Sequence, residues 1–244
     1  MAQGICHISN IPMRAEPSSK SELLSQLLMG ETYNLVDELP DWVKIKTDWD
    51  TYEGWINRTQ LFLNDKPHAT RLITTSPVTY AIDKGNRILS MGSELAVEPN
   101  GYTLRHEDHP IEISAQNADI DPVFLAKSFL GTPYLWGGRT FMGLDCSSLV
   151  QVVAKAKHKA IFRDSKDQAT LGETVGYIDQ VIPGDLAFFE NEAGKVVHVG
   201  ILLSPTQIIH AHGWVRIDSF DSEGIFREDT GKYTHRLQVI RRIW

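Results

Sequence analysis

The twenty residues from Gly131 to Val150, which read GTPYLWGGRTFMGLDCSSLV, decide how this chain is organised. Their glycines make a loop in which the backbone can pass close to a ligand. Asp145 and Cys146 then open a run of small and apolar residues that recur at helical spacing. The pattern predicts that Cys146 lies at a helix N-terminus, where unpaired N–H groups and the helix dipole favour a thiolate and lower the thiol pKa.

A free cysteine has two interpretations from its own chemistry, a buried inert thiol or an activated nucleophile. The surrounding residues favour the nucleophile, because the stretch resembles the signature of the NlpC/P60 cysteine peptidases. The matching residues are Pro133-Tyr134, Trp136-Gly137-Gly138 and Gly143-Leu144-Asp145-Cys146-Ser147. The resemblance implies a papain-like domain in which Cys146 is the nucleophile.

Composition and charge limit the possible functions. The chain has 244 residues and a formal net charge of −7, so we expect more than one domain and no nucleic acid partner. No apolar run is long enough to span a bilayer, so we expect no membrane insertion. The first residues, MAQGICHISN, lack the basic and apolar regions of a signal peptide, which favours a cytoplasmic location. Two cysteines do not make a disulfide framework, and Cys6 is interpreted as a small buried hydrophobe.

Residues 1–63 are predicted to form a small all-β domain, because short strand-like runs alternate with turn signals. The order of these runs resembles a bacterial SH3 (SH3b) domain. The runs lie at Met13–Pro17, Gly30-Glu31, Trp42–Lys44 and Gly54–Ile56. An unrelated small barrel is the alternative interpretation.

Residues 64–117 are predicted to form a second, divergent SH3b-like domain, which fits by size and order. Its expected strands lie at 70–80, 87–89, 94–97 and 101–104, with turn signals at Gly85-Asn86 and Asn100-Gly101. His106 and His109 flank acidic residues but have no further ligands nearby in the sequence. They are interpreted as exposed loop residues rather than metal ligands.

Residues 118–244 are predicted to form the peptidase domain. Asp121 suits a helix N-cap, Pro122 suits the first helical position, and Gly131 is placed to stop that helix. After the helix that follows Cys146, strands are expected at 186–189, 196–203, 207–212 and 237–243. Helices followed by a run of antiparallel strands indicate an α+β fold, which is the class of the papain-like core that the resemblance implies.

A cysteine hydrolase needs a base beside the thiol and a group that orients this base. His198 lies in the middle of the strand-like run VVHVGI and matches the histidine motif of the family, so it is the predicted base. By strand alternation alone, either His210 or His212 could orient it, since both face the same side. The resemblance favours His210, which follows two isoleucines, and leaves His212 as a rim residue or minor substrate contact.

The resemblance also implies the substrate. Peptidases of this family cut bacterial wall peptides, commonly between γ-linked D-Glu and a diamino acid, and the forms with N-terminal SH3b domains require a free N-terminal L-Ala. The backbone N–H of Cys146 and the hydroxyl of Tyr134 are candidate oxyanion donors. The substrate contacts that the family pattern implies are Asp145, Asp164, Ser165, Tyr52 and Glu22. Carboxylates in a closed pocket suit an ammonium group, because exclusion of water strengthens the attraction.

The sequence therefore predicts a cytoplasmic γ-D-glutamyl-L-diamino acid endopeptidase that acts on a murein tripeptide or a related cell-wall peptide. No metal or other cofactor is expected, because thiol chemistry requires none. The alternatives are an exported autolysin acting on intact wall, a catalytically inactive SH3b wall-binding protein, and a thiol acyltransferase on the same fold. The preferred diamino acid and the oligomeric state do not follow from the sequence.

Overall fold

A computed structural model of the chain describes residues 3–63, 71–81, 87–96, 113–114 and 120–244. The first of these ranges holds six strands: β1 (Gln3–Ile5), β2 (Asn10–Arg14), β3 (Leu23–Leu28), β4 (Thr32–Glu38), β5 (Trp42–Thr47) and β6 (Glu53–Asn57). They form one antiparallel sheet in the order β1-β4-β5-β6-β2-β3. The expected all-β character of this region is confirmed.

The core of the N-terminal sheet follows from strand alternation. Ile11 and Met13 of β2 and Val43 and Ile45 of β5 are fully buried, whereas the residues between them are more exposed. Burying a side chain of this size contributes roughly 1.5–3 kcal/mol relative to leaving it in water. Cys6 belongs to the same core and is 1% exposed, as its interpretation as a buried hydrophobe requires.

The middle segment contributes β7 (Arg71–Thr74), β8 (Val78–Ala81), β9 (Arg87–Ser90), β10 (Glu94–Ala96) and β11 (Ile113–Ser114). Strand β7 pairs with β10 and β11, and β8 pairs with β9. The strand expected over 70–80 is divided into two by a bend at 75–77. The strand expected at 101–104 and the two histidines at 106 and 109 lie outside the described residues, so the second SH3b-like domain stays a prediction.

The last range begins with α1 (Pro122–Lys127), β12 (Arg139–Thr140), β13 (Gly143–Leu144), α2 (Cys146–Ala156) and α3 (Ser165–Gln168). As predicted, Asp121 caps α1 by accepting a hydrogen bond from the Val123 N–H at 2.9 Å. The helix ends at Lys127 rather than at Gly131, because the next amides bond to carbonyls three residues back in tight turns. No helix within the described residues is long and apolar enough to cross a membrane.

The remaining strands are β14 (Glu173–Val175), β15 (Leu186–Glu190), β16 (Val196–Ser204), β17 (Gln207–His212), β18 (Trp214–Phe220), β19 (Gly224–Arg227) and β20 (Lys232–Arg242). They pair antiparallel in the order β14-β20-β15-β16-β17-β18-β19. Strand β19 also pairs with β20, so the strands from β15 to β20 close on themselves as a barrel. Neither β18 nor β19 was predicted.

The two faces of β16 and β17 have different environments. Val199 and Ile209 pack in the core that contains α2, whereas Leu202 and Ile208 pack in the core inside the barrel. Because side chains alternate along a strand, His198 shares the barrel face with Leu202, and the two histidines of β17 share it with Ile208. The fold thus gathers histidines on the barrel side of β16 and β17.

Candidate active site

Cys146 is the first residue of α2, as predicted, and its side chain is buried. Its sulfur accepts hydrogen bonds from the backbone N–H groups of Val199 and Ser147, and each of these bonds lowers the pKa of the thiol. Val199 follows His198 on β16. The thiol therefore lies against the part of the sheet that carries the predicted base.

The expectation of a depressed thiol pKa is wrong. Burial raises the pKa of Cys146 to about 12, and the neighbouring Asp145 carboxylate adds to the rise. The two backbone N–H groups oppose this change but do not outweigh it. Burial also holds the pKa of His198 well below its usual range, with His235 as the next cause. Burial therefore favours the neutral forms of both the thiol and the imidazole.

A chain of hydrogen bonds runs from His198 into the barrel. Its Nε2 lies 2.8 Å from His210 Nδ1, and His210 Nε2 lies 2.9 Å from Asp218 Oδ2. Burial opposes ionisation of Asp218, but hydrogen bonds from His210 and Arg216 lower the pKa of its carboxyl. An ionised carboxylate only accepts, so we assign the hydrogen to His210 Nε2 and a second one to His198 Nε2. The lone pair of His198 is then on Nδ1, ready to accept a proton.

The sheet register explains why His210 meets His198. Gly200 pairs with His210 across β16 and β17, and a Cβ at position 200 would lie 2.9 Å from the Cβ of His210. A side chain at position 200 would therefore displace the ring of His210. The ring centroid of His198 lies 5.0 Å from that of His210 and 6.5 Å from that of His212. The contact agrees with the prediction that His210 orients His198.

Two members of this cluster were missed by sequence reasoning. Asp218 lies on β18, a strand that was not predicted, although an acidic residue in the strand-like run Trp214–Phe220 was a signal for it. His235 lies on β20 and stacks on His198, with ring centroids 4.1 Å apart and an interplanar angle of 26°. No local motif marks His235, because it comes next to His198 only when the barrel closes.

A cavity of about 410 Å³ opens beside Cys146 and separates the two parts of the chain. Glu22, Leu24 and Tyr52 line one side, which we call the N-terminal wall. The opposite side includes Asp145, Cys146, Arg163, Asp164 and Ser165. Six of the predicted site residues therefore meet in one cavity.

Two hydrogen bonds join the N-terminal wall to the opposite side. The Tyr52 hydroxyl donates to Asp164 Oδ1 at 3.1 Å, and Trp136 Nε1 donates to Glu22 Oε1 at 2.7 Å. Asp164 keeps 38% of its side chain exposed, and Glu22 is exposed as well. Both carboxylates are therefore accessible to a cation that enters the cavity.

Asp145 lines the same cavity, but its carboxylate is already occupied. It caps α2 through the Ser148 N–H at 2.8 Å, and Arg163 Nη2 donates to it at 2.6 Å. Further donors are the Gly137 N–H, the hydroxyls of Ser147 and Ser148, and Arg163 Nη1. Burial opposes ionisation, but Arg163 lowers the pKa of Asp145. The sequence did not reveal this cap and ion pair, and the direct contact with a substrate amine stays a prediction.

The structure also locates the two remaining predicted residues. Tyr134 is half-buried, and its pKa is raised by burial first and by the nearby Cys146 charge second. Its hydroxyl is therefore protonated at neutral pH and is chemically suited to donate to an oxyanion. Ser165 is the first residue of α3 and contributes to the cavity wall.

A buried ion network holds the N-terminal sheet against α2. Arg139 donates two hydrogen bonds of 3.0 Å to the Glu31 carboxylate, which Lys155 also contacts. Burial alone would raise the pKa of Glu31, but the two cations lower it to about 2. In the same region a Cβ at Gly137, whose φ is +75°, would lie 2.1 Å from the Leu23 carbonyl oxygen. The two parts are packed together rather than tethered, as expected.

These features define a class of protein: an SH3-type all-β region followed by an α+β domain with a buried cysteine at a helix N-terminus beside a histidine-bearing sheet. The NlpC/P60 family model matches residues 131–233, and the bacterial SH3 domain model matches residues 9–61. The C-terminal domain of this chain belongs to the NlpC/P60 family, and a bacterial SH3 domain precedes it.

Relatives and a known structure extend this assignment over most of the chain. A Bacillus subtilis protein named gamma-D-glutamyl-L-lysine dipeptidyl-peptidase is 29% identical over 214 residues, which cover 77% of this chain and 71% of the relative. The dipeptidyl-peptidase 6 of Lysinibacillus sphaericus is 27% identical over 256 residues, which cover 88% of this chain and 91% of the relative. The crystal structure of an NlpC/P60 family protein from Bacillus cereus superposes with a TM-score of 0.79 at 23% identity, covering 99% of each chain. That likeness supports the fold.

Proposed function

We propose that this protein is a cysteine endopeptidase that hydrolyses the bond between γ-D-Glu and a diamino acid in short murein peptides with a free N-terminal L-Ala. The observation that carries the proposal is the cavity at Cys146, which the N-terminal wall borders and which holds accessible carboxylates. The relatives named as dipeptidyl-peptidases support the same reaction class.

The hydrogen-bond chain supports a mechanism that starts from neutral groups. His198 Nδ1 accepts the thiol proton while the Cys146 sulfur attacks the carbonyl carbon. The Cys146 N–H and the Tyr134 hydroxyl stabilise the developing oxyanion. His198 then protonates the leaving amine, and the thioester is hydrolysed by a water that gives its proton to the same ring. His210 and Asp218 stabilise the imidazolium formed in each step.

The N-terminal wall supports recognition of a free amine. In this proposal the ammonium of L-Ala lies between Asp164 and Glu22, with the Tyr52 hydroxyl holding Asp164 in place. Ser165 supplies a further polar contact. Asp145 contributes its charge, although it is already paired with Arg163. In a peptide whose amine is linked to a muramyl group, that group would clash with these side chains.

A preference for short free peptides, rather than intact wall, suits a cytoplasmic recycling enzyme, and we propose that location. Fractionation of the producing cells tests it, since recovery of the protein in the wall fraction would favour the autolysin alternative. The expected partner is a murein tripeptide.

The experiment that tests the reaction is incubation with L-Ala-γ-D-Glu-diaminopimelate, followed by mass analysis of the products. We expect L-Ala-D-Glu and free diaminopimelate. An intact tripeptide would support the inactive wall-binding alternative. A product in which the dipeptide is joined to an added amine would support acyl transfer.

A further inference from the structure

Four histidines crowd the barrel side of the sheet behind the proposed base. Ligand atoms of His198, His210 and His235 all lie within 4.8 Å of one another. His212 is adjacent, with its ring centroid 4.9 Å from that of His235. The proposed mechanism uses only two of these rings, so His235 and His212 have no role in it.

In two of these histidines, His210 and His235, one ring nitrogen is within hydrogen-bond distance of an oxygen atom. His210 Nε2 is bonded to Asp218, and His235 Nδ1 lies 2.9 Å from Thr234 Oγ1. His210 Nδ1 faces His198, and the nitrogen of His235 that Thr234 does not hold is Nε2. A histidine that donates one ring N–H to an oxygen and presents the other nitrogen has the arrangement of a metal ligand with its supporting partner.

The nitrogen atoms are near the spacing that a metal ion requires. Zinc binds imidazole nitrogen at about 2.0–2.1 Å, which puts two ligands of a tetrahedral site about 3.3 Å apart. His198 Nε2 and His210 Nδ1 are 2.8 Å apart, and the largest separation in the group of three is within 4.8 Å. Because the rings of His198 and His235 are stacked, they must rotate until the lone pairs of both nitrogens point at the ion. His212 Nδ1 is buried and has no hydrogen-bond partner among the described residues, which offers a fourth nitrogen.

We propose that His198, His210 and His235 form a binding site for a borderline divalent transition metal, with Zn²⁺ as its probe, and that the bound ion switches the peptidase off. Imidazole ligands favour zinc and similar transition metals over magnesium or calcium. The half-buried side chains of His212 and His235 give the ion a way in from the barrel side.

The switch follows from the tautomer of His198. In the metal-free protein its hydrogen is on Nε2, which donates to His210, and its lone pair is on Nδ1. The metal takes Nε2, so the hydrogen moves to Nδ1 and no proton is gained or lost by the ring. With a hydrogen on Nδ1, His198 no longer accepts the thiol proton of Cys146. The site itself stands on the geometry alone, whereas the switch rests on the proposed function.

The test uses the full chain with Cys146→Ala, which removes the thiol as a competing ligand. Titration calorimetry with Zn²⁺ should give one ion per chain. Adding His235→Phe, which keeps a flat ring on His198, should weaken zinc binding at least tenfold. His158→Asn, at an exposed histidine outside the cluster, is the matched control and should leave the affinity unchanged. Circular dichroism checks that each variant folds, and His235→Gln replaces the phenylalanine variant if that one does not.

No zinc uptake by the Cys146→Ala protein, or equal affinity with and without His235, would overturn the site. In the activity arm, wild-type hydrolysis should fall with added Zn²⁺ and return with EDTA. The variant with His235→Phe should need at least tenfold more zinc, relative to its own uninhibited rate. Zinc bound at the site without inhibition would overturn the switch. A protein without any hydrolysis would refute the proposed function, while the binding arm would still decide the site.

Discussion

The two sides of the cavity are built in different ways. The side that carries Cys146, which we call the reacting side, consists of buried groups within one domain. They are Cys146 on α2 and the hydrogen-bonded residues His198, His210 and Asp218 in the barrel. The N-terminal wall belongs to the other domain, and its Glu22, like Asp164 opposite, is open to solvent. The difference teaches that bond cleavage and amine selection depend on separate parts of the chain. Changes on the reacting side should abolish hydrolysis, whereas changes at the wall should alter which peptide is hydrolysed.

The largest effect should come from Cys146→Ala. Without the sulfur no thioester forms, so turnover should fall by about four orders of magnitude or more. A steady-state assay on the free tripeptide measures it. Cys6→Ala is the matched control, because Cys6 lies in the N-terminal core and should keep a near wild-type rate. Residual hydrolysis by the Cys146 variant at the wild-type rate would exclude this residue as the nucleophile.

The next largest effect concerns the joint between the two sides. Glu31→Gln leaves Arg139 and Lys155 without a full counter-charge, which should cost about 3–5 kcal/mol in the free energy of unfolding at pH 7. Urea denaturation measures this loss. Glu38→Gln, in an exposed pair with Arg58, should cost no more than about 1 kcal/mol.

The stability lost in Glu31→Gln should also depend on pH. Folding lowers the pKa of Glu31 from 4.5 to about 2, so the stability it contributes is complete above pH 4.5 and is lost as the pH falls toward 2. The difference between wild type and Glu31→Gln should shrink over that window. A difference that stays constant down to pH 2 would mean that Glu31 is not the ionised centre of the network.

A smaller loss should separate the two histidines of β17. His210→Ala removes the partner that fixes the tautomer of His198, so kcat should fall about a hundredfold or more. His212→Ala, on the same strand face, should cost less than about tenfold. The reverse order would assign the orienting role to His212.

The smallest effect should come from the wall. Asp164→Asn should lower kcat/KM for the free tripeptide by about ten- to a hundredfold, since a charge-assisted contact contributes roughly 1.5–3 kcal/mol. Hydrolysis of the N-acetylated peptide should change little. Asp167→Asn is the control, because Asp167 lies in the helix that Asp164 precedes but does not line the cavity. Asp145→Asn is a poorer test, because it also breaks the Arg163 pair and the cap of α2. Equal losses for both peptides would remove Asp164 from amine recognition.

Local patterns predicted the parts of the site that lie within one motif. The glycine-rich loop gave the position of Cys146, and the run around His198 gave its strand. Barrel closure was not predictable, because the pairing of β19 with β20 depends on contacts far apart in the chain, and it alone brings His235 onto His198. The direction of the thiol pKa shift was predicted wrongly. The helix N-terminus and the adjacent Asp145 are visible in the sequence, but the burial that is the main cause of the rise is not.

Tyr52 was predicted as a site residue from the family pattern rather than from a local physical signal. The prediction followed from its position before Gly54-Trp55, and the hydrogen bond to Asp164 across the cavity agrees with it. The buried network around Glu31, which helps to hold the two parts of the chain together, was not visible in the sequence. Its members come from separate elements, and each looks like an ordinary charged residue in its own segment.

The most direct measurement compares kcat/KM for L-Ala-γ-D-Glu-diaminopimelate and for the same peptide with its amine acetylated. Acetylation removes the positive charge and adds bulk beside the N-terminal wall. We expect the free peptide to be favoured by more than the ten- to hundredfold, roughly 1.5–3 kcal/mol, that the charge alone contributes. Comparable values for the two peptides would contradict recognition of a free amine and favour an autolysin that acts on intact wall.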